Sequence, residues 1–230
     1  MFDLVQEREI GKSLAPRTMV YVIVHGEPDV NKPDGLSERG KNQIGDLGRS
    51  RVATGVRKIY SSPAEICLKT AGLLRKEFEA PVDVKECLKE AALGESKNND
   101  LGALLKKMWD DPGFTHKSGE SLFDTRRRLG ECMNIIGDRH TGDSVAVIVD
   151  PLLSAVFLSL VRGGEPRIED WMHCGHASCA TYEYSKRGWE LLMPPDDSFL
   201  ADPSSISDTL PEGVIHSLGD IPKESDEFEL

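Results

Sequence analysis

A chain of 230 residues can bury a sizeable core, and one domain, or one domain plus a tail, is the expected organisation. Its formal charge of −11 is lopsided: the stretch from Pro194 onward holds ten acidic residues against the single Lys223, which leaves the first 193 residues at only −2. A near-neutral body of this kind argues against a nucleic-acid surface, and no stretch approaches the ~20 apolar residues of a membrane span.

Met1 to Arg17 interleaves acidic and basic residues without an apolar block of signal-peptide length and reads as a polar lead-in. Five scattered cysteines, Cys67, Cys87, Cys132, Cys174 and Cys179, form no CxxC pair and suit free thiols in a reducing compartment, so a cytoplasmic location is expected. The first strand is expected over Met19 to Val24. It stops at His25, Gly26 and Glu27, the way a buried strand presents a nucleophile at its carboxyl end. A loop rich in turn formers follows, from Gly26 through Pro28, Asn31 and Gly35, and Ser37 starts a helix of about four turns.

Val56 to Tyr60 reads as a second strand, with Ser61, Ser62 and Pro63 as cap and first turn of a helix through Cys67, Ala71 and Phe78. Val82 to Val84 is a short third strand, and Leu101 to Trp109 a helical patch. Gly119, Glu120 and Ser121 open a helix whose apolar positions Leu122, Leu129, Cys132, Met133 and Ile136 recur near helical spacing; the run Arg126, Arg127, Arg128 on it reads as a solvated face. Ser144 to Val149 is a strongly apolar strand that ends in Asp150 and Pro151, ahead of helix Leu152 to Val161. Cys179 to Tyr184 and Trp189 to Met193 make a final hairpin. Alternating strands and helices predict a three-layer α/β sandwich with a mostly parallel sheet, whose site lies at the carboxyl strand ends with His25, Ser61 and Asp150. Residues 18–193 form this domain, and 194–230, with five prolines and ten acids, read as a disordered acidic tail.

These segments, in this order, resemble the histidine phosphatase superfamily, the phosphoglycerate mutase-like proteins. Val24, His25, Gly26, Glu27, with Asn31 beyond, fill the family's Arg-His-Gly-Glu signature except at the arginine. Leu36 to Gly40 is similar to its Leu-Thr-Glu-Arg-Gly segment, and Ile59 to Pro63 with Thr70 and Ala71 to its Ser-Ser-Pro helix start. Leu88 to Gly94 and Gly119 to Ser121 match further segments. The resemblance implies phosphoryl transfer to His25, with Glu90 protonating the leaving oxygen and Asn31 and Ser62 in binding positions. It also locates three substitutions: Val24 and Ile66 stand where arginines hold the phosphate, and Asp150 where a second histidine does.

Phosphoryl transfer depends on cations placed around the equatorial oxygens. A unit charge at ~4 Å is worth about 4 kcal/mol at an effective dielectric near 20, and an ionised Asp150 adds repulsion of the same order. Loss of one strong transition-state donor slows such chemistry ~100-fold or more. The expectation is therefore a catalytically impaired member of the fold, a pseudoenzyme acting as a binding or regulatory module for a small-molecule ligand or a protein partner.

Two alternatives stay open. The first is an active phosphomonoesterase with a rebuilt pocket in which Lys69, one turn beyond Ile66, replaces a lost arginine. The second is an interaction protein whose tail folds onto a partner, or back over the pocket, through Phe199, Leu200, Ile206, Val214, Ile215 and Leu218. Asp150 reads either as an N-cap for the following helix or as a partner of His25 in a site for a cationic or neutral ligand. The cluster His173, Cys174, His176, Cys179 raises zinc, but alternation along an extended stretch splits it across two faces. No cofactor and no metal are expected, since no Gly-rich phosphate loop, EF-hand or nucleophilic-serine elbow is present.

Overall fold

The computed structural model describes residues 16–93 and 101–219. The near-continuous apolar run predicted for the first strand is β1, Thr18–Val24. A small hairpin, β2 (Pro28–Asp29) and β3 (Lys32–Leu36), is built within the turn-rich loop, where turn formers alone do not announce strands. Then come α1 (Glu38–Ser50), β4 (Val56–Ser61), α2 (Glu65–Phe78) and β5 (Val82–Val84), followed by a single 3₁₀ turn at Glu86–Leu88. The second half holds α3 (Leu101–Asp110), α4 (Leu122–Arg139), β6 (Ser144–Val149), α5 (Pro151–Arg162) and α6 (Ile168–Met172). It ends with β7 (Cys179–Ser185), β8 (Gly188–Asp196), α7 (Ile206–Thr209) and α8 (Glu212–Leu218).

Six strands form one sheet in the order β5-β4-β6-β1-β7-β8; β5, β4, β6 and β1 run parallel, and β7 and β8 antiparallel. Side-chain alternation splits the core into two layers. Val20 and Val22 of β1 and Val145, Val147 and Val149 of β6 pack on one face with Leu129, Met133 and Ile136 of α4 and Phe157 of α5. Tyr21 and Ile23, with Ala146 and Ile148, pack on the other with Ile44 and Leu47 of α1 and Ile66, Cys67 and Leu74 of α2. Each large side chain buried this completely contributes about 1.5–3 kcal/mol. The three-layer α/β architecture is therefore the one expected.

Three sequence expectations need correction. Helix α2 starts at Glu65, not at Pro63: Ala64 is its cap, and the Ser62 hydroxyl accepts from Ala64 N at 3.3 Å. Cys87 and Cys132, expected as free thiols, form a disulfide with Cα atoms 5.8 Å apart; Cys67, Cys174 and Cys179 are free and buried. The pairing spans 45 residues and is created when the 3₁₀ turn packs on α4, a contact that spacing along the chain does not reveal; it also removes the cysteine argument for a reducing compartment.

The stretch from Pro194, expected as a disordered tail, belongs to the fold as far as Gly219. Strand β8 runs to Asp196, and Leu200, Ile206, Val214 and Leu218 are buried. These side chains are too sparse in sequence to announce a core, but each finds an apolar surface already built by the domain. Of the acidic residues counted there, Asp220, Glu224, Asp226, Glu227 and Glu229 lie outside the described residues, as does Met1 to Ala15 of the lead-in. Among the described residues no helix is long and apolar enough to cross a membrane.

Candidate functional site

β1 and β6 are parallel and in register, with Val24 opposite Val149, so His25 and Asp150 leave the sheet side by side at its carboxyl edge. His25 is tied down by its backbone: its N–H donates to Val149 O at 3.1 Å, and Ala177 N donates to its carbonyl at 3.0 Å. The imidazole Nδ1 lies 2.9 Å from Gly26 O. A carbonyl can only accept, so Nδ1 carries the proton and Nε2 keeps its lone pair. Burial lowers the His25 pKa, opposed by the bond to Gly26; no lysine or arginine contributes. The ring is a neutral imidazole with its lone pair on Nε2.

The turn after His25 needs glycine. A Cβ on Gly26 would come within 2.6 Å of Gly40 O, and one on Gly40 would collide with the Glu27 backbone. This close approach docks the His25 loop on the first turn of α1. Beside it, Glu27 accepts from Ser37 Oγ at 2.9 Å and from Arg39 Nη1 at 3.0 Å. Burial pushes the Glu27 carboxyl up, but bonds from Ser204, Ser37 and Arg39 outweigh that and hold it below its ordinary value. Arg39 also pairs with Asp202, and Gln43 donates to Asp202 O and Ser204 Oγ, which ties the segment after β8 to α1.

Asp150 caps α5: Oδ1 accepts from Leu153 N at 3.0 Å, with Pro151 in the first turn, as the cap reading expected. Oδ2 is buried and, among the described residues, has no hydrogen-bond partner. Burial first, and the charge of Glu90 second, push the Asp150 carboxyl up to about 7. Glu90, just past the 3₁₀ turn, is itself raised by the surrounding protein and by Asp34. Its segment is clamped by the Cys87–Cys132 disulfide and by Arg128, which donates to Cys87 O and Lys89 O while forking onto Glu120.

The positions that should carry cations do not. Val24 and Ile66 are buried apolar side chains. Lys69, the expected replacement, pairs with Glu65 at 2.7 Å and donates to Asp34 O at 2.9 Å, which commits it to the β3 hairpin. Ser62 is fully buried beside β6, its N–H on Ile148 O. Asn31 lies in the exposed turn between β2 and β3, with its N–H on the Asp29 carboxylate.

Sequence reasoning missed His176 as a site residue. Its ring stacks on His25 with centroids 5.7 Å apart, and it is wholly buried. Thr209 Oγ1 donates to Ile206 O, so it accepts from His176 Nε2 at 3.3 Å; Nδ1 is left buried, unprotonated and without a partner among the described residues. Burial, then the neighbouring His25, lower the His176 pKa to about 3. The following Ala177 holds a left-handed φ of 57°, a strained conformation for a residue with a side chain, which brings its N–H onto His25 O. The sequence signal here was the His173 to Cys179 cluster, read against zinc; His173 is exposed, and no group of three metal-ligating side chains occurs among the described residues.

The sequence model described as histidine phosphatase superfamily (branch 1) matches residues 20–197. No curated protein matches the chain. Among solved structures, YhfR of Bacillus stearothermophilus superposes with a TM-score of 0.70 at 23% identity, covering 80% of this chain and 99% of its own. A phosphoserine phosphatase from Entamoeba histolytica, in complex with 3-phosphoglyceric acid, superposes at 0.66 and 18% identity, covering 80% and 99%. A phosphoglycerate mutase from Bacillus anthracis does so at 0.64 and 16%, covering 83% and 98%. At these identities the likeness is one of fold.

Proposed function

Because this chain belongs to the histidine phosphatase superfamily, we propose that it keeps the fold and the histidine but has given up phosphomonoester turnover, and acts as a binding or regulatory module. The observation that carries this reading is the polarity around His25. The phosphate-holding positions are apolar at Val24 and Ile66 and acidic at Asp150, Glu90 adds a carboxyl, and Lys69 is committed elsewhere. Among the described residues, a phosphoryl group approaching Nε2 would meet no guanidinium at these positions to take up its charge. At about 4 kcal/mol per missing cation, the transition state loses several orders of magnitude in rate.

One observation favours the other reading, an active phosphatase of the kind named among the structural neighbours. His25 is held by Gly26 O in the tautomer a nucleophile needs. Both readings meet in one assay. The purified chain and its His25→Ala variant are given p-nitrophenyl phosphate, and the protein is checked for phosphohistidine after exposure to phosphate donors. Equal background turnover and no label on His25 are expected. Turnover abolished by His25→Ala, or a labelled His25, would establish the phosphatase instead.

A further inference from the structure

We propose that the site formed by His25, Asp150, Glu90 and His176 binds a small organic cation, an ammonium or guanidinium group that brings several N–H donors. This rests on the reading that the site no longer serves phosphate, and it names the ligand class that replaces it.

The argument is an account of unused hydrogen-bonding capacity. His25 has spent its one proton on Gly26 O, so its free ring atom, Nε2, is an acceptor. His176 has spent its proton on Thr209, so its free atom, Nδ1, is an acceptor too. Asp150 has used Oδ1 on the cap, and its free atom is Oδ2, an acceptor once the carboxyl is ionised. Two of these three, Asp150 Oδ2 and His176 Nδ1, are buried without a partner among the described residues. Glu90 adds a carboxylate whose charge reaches Asp150. Once Asp150 gives up the proton that burial and Glu90 leave on it near neutrality, every unused polar atom of the four asks for a donor.

An orphaned buried acceptor costs about 1–3 kcal/mol, which a ligand N–H would recover. A phosphomonoester dianion, which is all acceptor, would recover none of it. A metal ion would need three or more ligands converging on a point, and no such group exists among the described residues. Directional donors on a planar or tetrahedral organic cation fit dispersed acceptors better. Burial and Glu90 keep a proton on Asp150 near neutrality, and a bound cation can take that proton's place.

The test uses the full chain, isothermal titration calorimetry and NMR of the histidine ring protons. Agmatine and putrescine are the donor-bearing probes, tetramethylammonium is a cation without donors, and orthovanadate is the oxyanion. Agmatine or putrescine should bind, shift the His25 and His176 ring signals, and bind at least ten-fold more weakly to the Asp150→Asn, Glu90→Gln double variant; tetramethylammonium should not bind. If the double variant does not fold, Glu90→Gln alone, at an exposed position, should still weaken binding several-fold. Failure of both amines to bind, equal binding by tetramethylammonium, or binding indifferent to these substitutions would overturn the cation site and leave the non-phosphatase reading standing. Vanadate bound against His25 would overturn both.

Discussion

Replacing Asp150 with asparagine isolates one buried carboxyl. Asn keeps an oxygen for Leu153 N and nearly the same volume, so the helix cap survives while the titratable proton is lost. In the folded protein burial and Glu90 carry the Asp150 pKa from 3.8 to about 7. Between those values the folded chain holds a proton that the unfolded chain has released, so stability falls as pH rises through the window. At about 1.4 kcal/mol for each pH unit crossed, the full loss above pH 7 is roughly 4 kcal/mol. The neighbouring thiols Cys67 and Cys174 are pushed up by burial, Cys174 to about 12, and stay neutral throughout; Glu90 is coupled to Asp150, and the measured midpoint belongs to the pair. Urea unfolding of both proteins from pH 4 to pH 8, followed by tryptophan fluorescence, measures the difference. The Asp150→Asn protein should match the native chain within about 1 kcal/mol at pH 4 and exceed it by several kcal/mol at pH 8. A gap that is flat with pH, or that narrows as pH rises, would show that Asp150 ionises as an ordinary carboxyl and would remove the electrostatic basis of the site.

His176→Gln should show the opposite slope: with a folded pKa near 3 against an ordinary 6.5, native His176 draws protons to the unfolded chain as pH falls through that range, so the variant should gain on the native protein toward acid in the same urea series. Gly40→Ala should destabilise by about 1–3 kcal/mol, because the new methyl collides with the Glu27 backbone, and thermal melting will record it. Reduction with dithiothreitol, or Cys132→Ser, opens a 45-residue loop whose closure is worth at most about 4 kcal/mol, so the melting temperature should drop and amide exchange around Glu90 should quicken. Deleting residues from Asp197 onward removes buried Leu200, Ile206, Val214 and Leu218 and should lower the melting temperature; an unchanged melt would return that stretch to the status of a tail.

What could be read without coordinates was local. Apolar runs and their alternation placed β1, β4 and β6, helical spacing of apolar residues placed α4, serine and aspartate caps placed α1 and α5, and the strand that stops at His25 placed a histidine at the carboxyl edge. Each of these depends on neighbours within a few residues, where period and capping chemistry act directly on the backbone. The missing cations at Val24 and Ile66 were legible only through the resemblance to the family, whose signature carries arginines at those offsets. Tertiary structure alone decided the rest: that His176 stacks on His25 from 151 positions away in the sequence, that Lys69 is captured by the β3 hairpin, that Cys87 meets Cys132, and that residues beyond Pro194 pack on the domain. These contacts follow from how the sheet, α1 and α4 come together, and the free energy of each arises only once both surfaces exist.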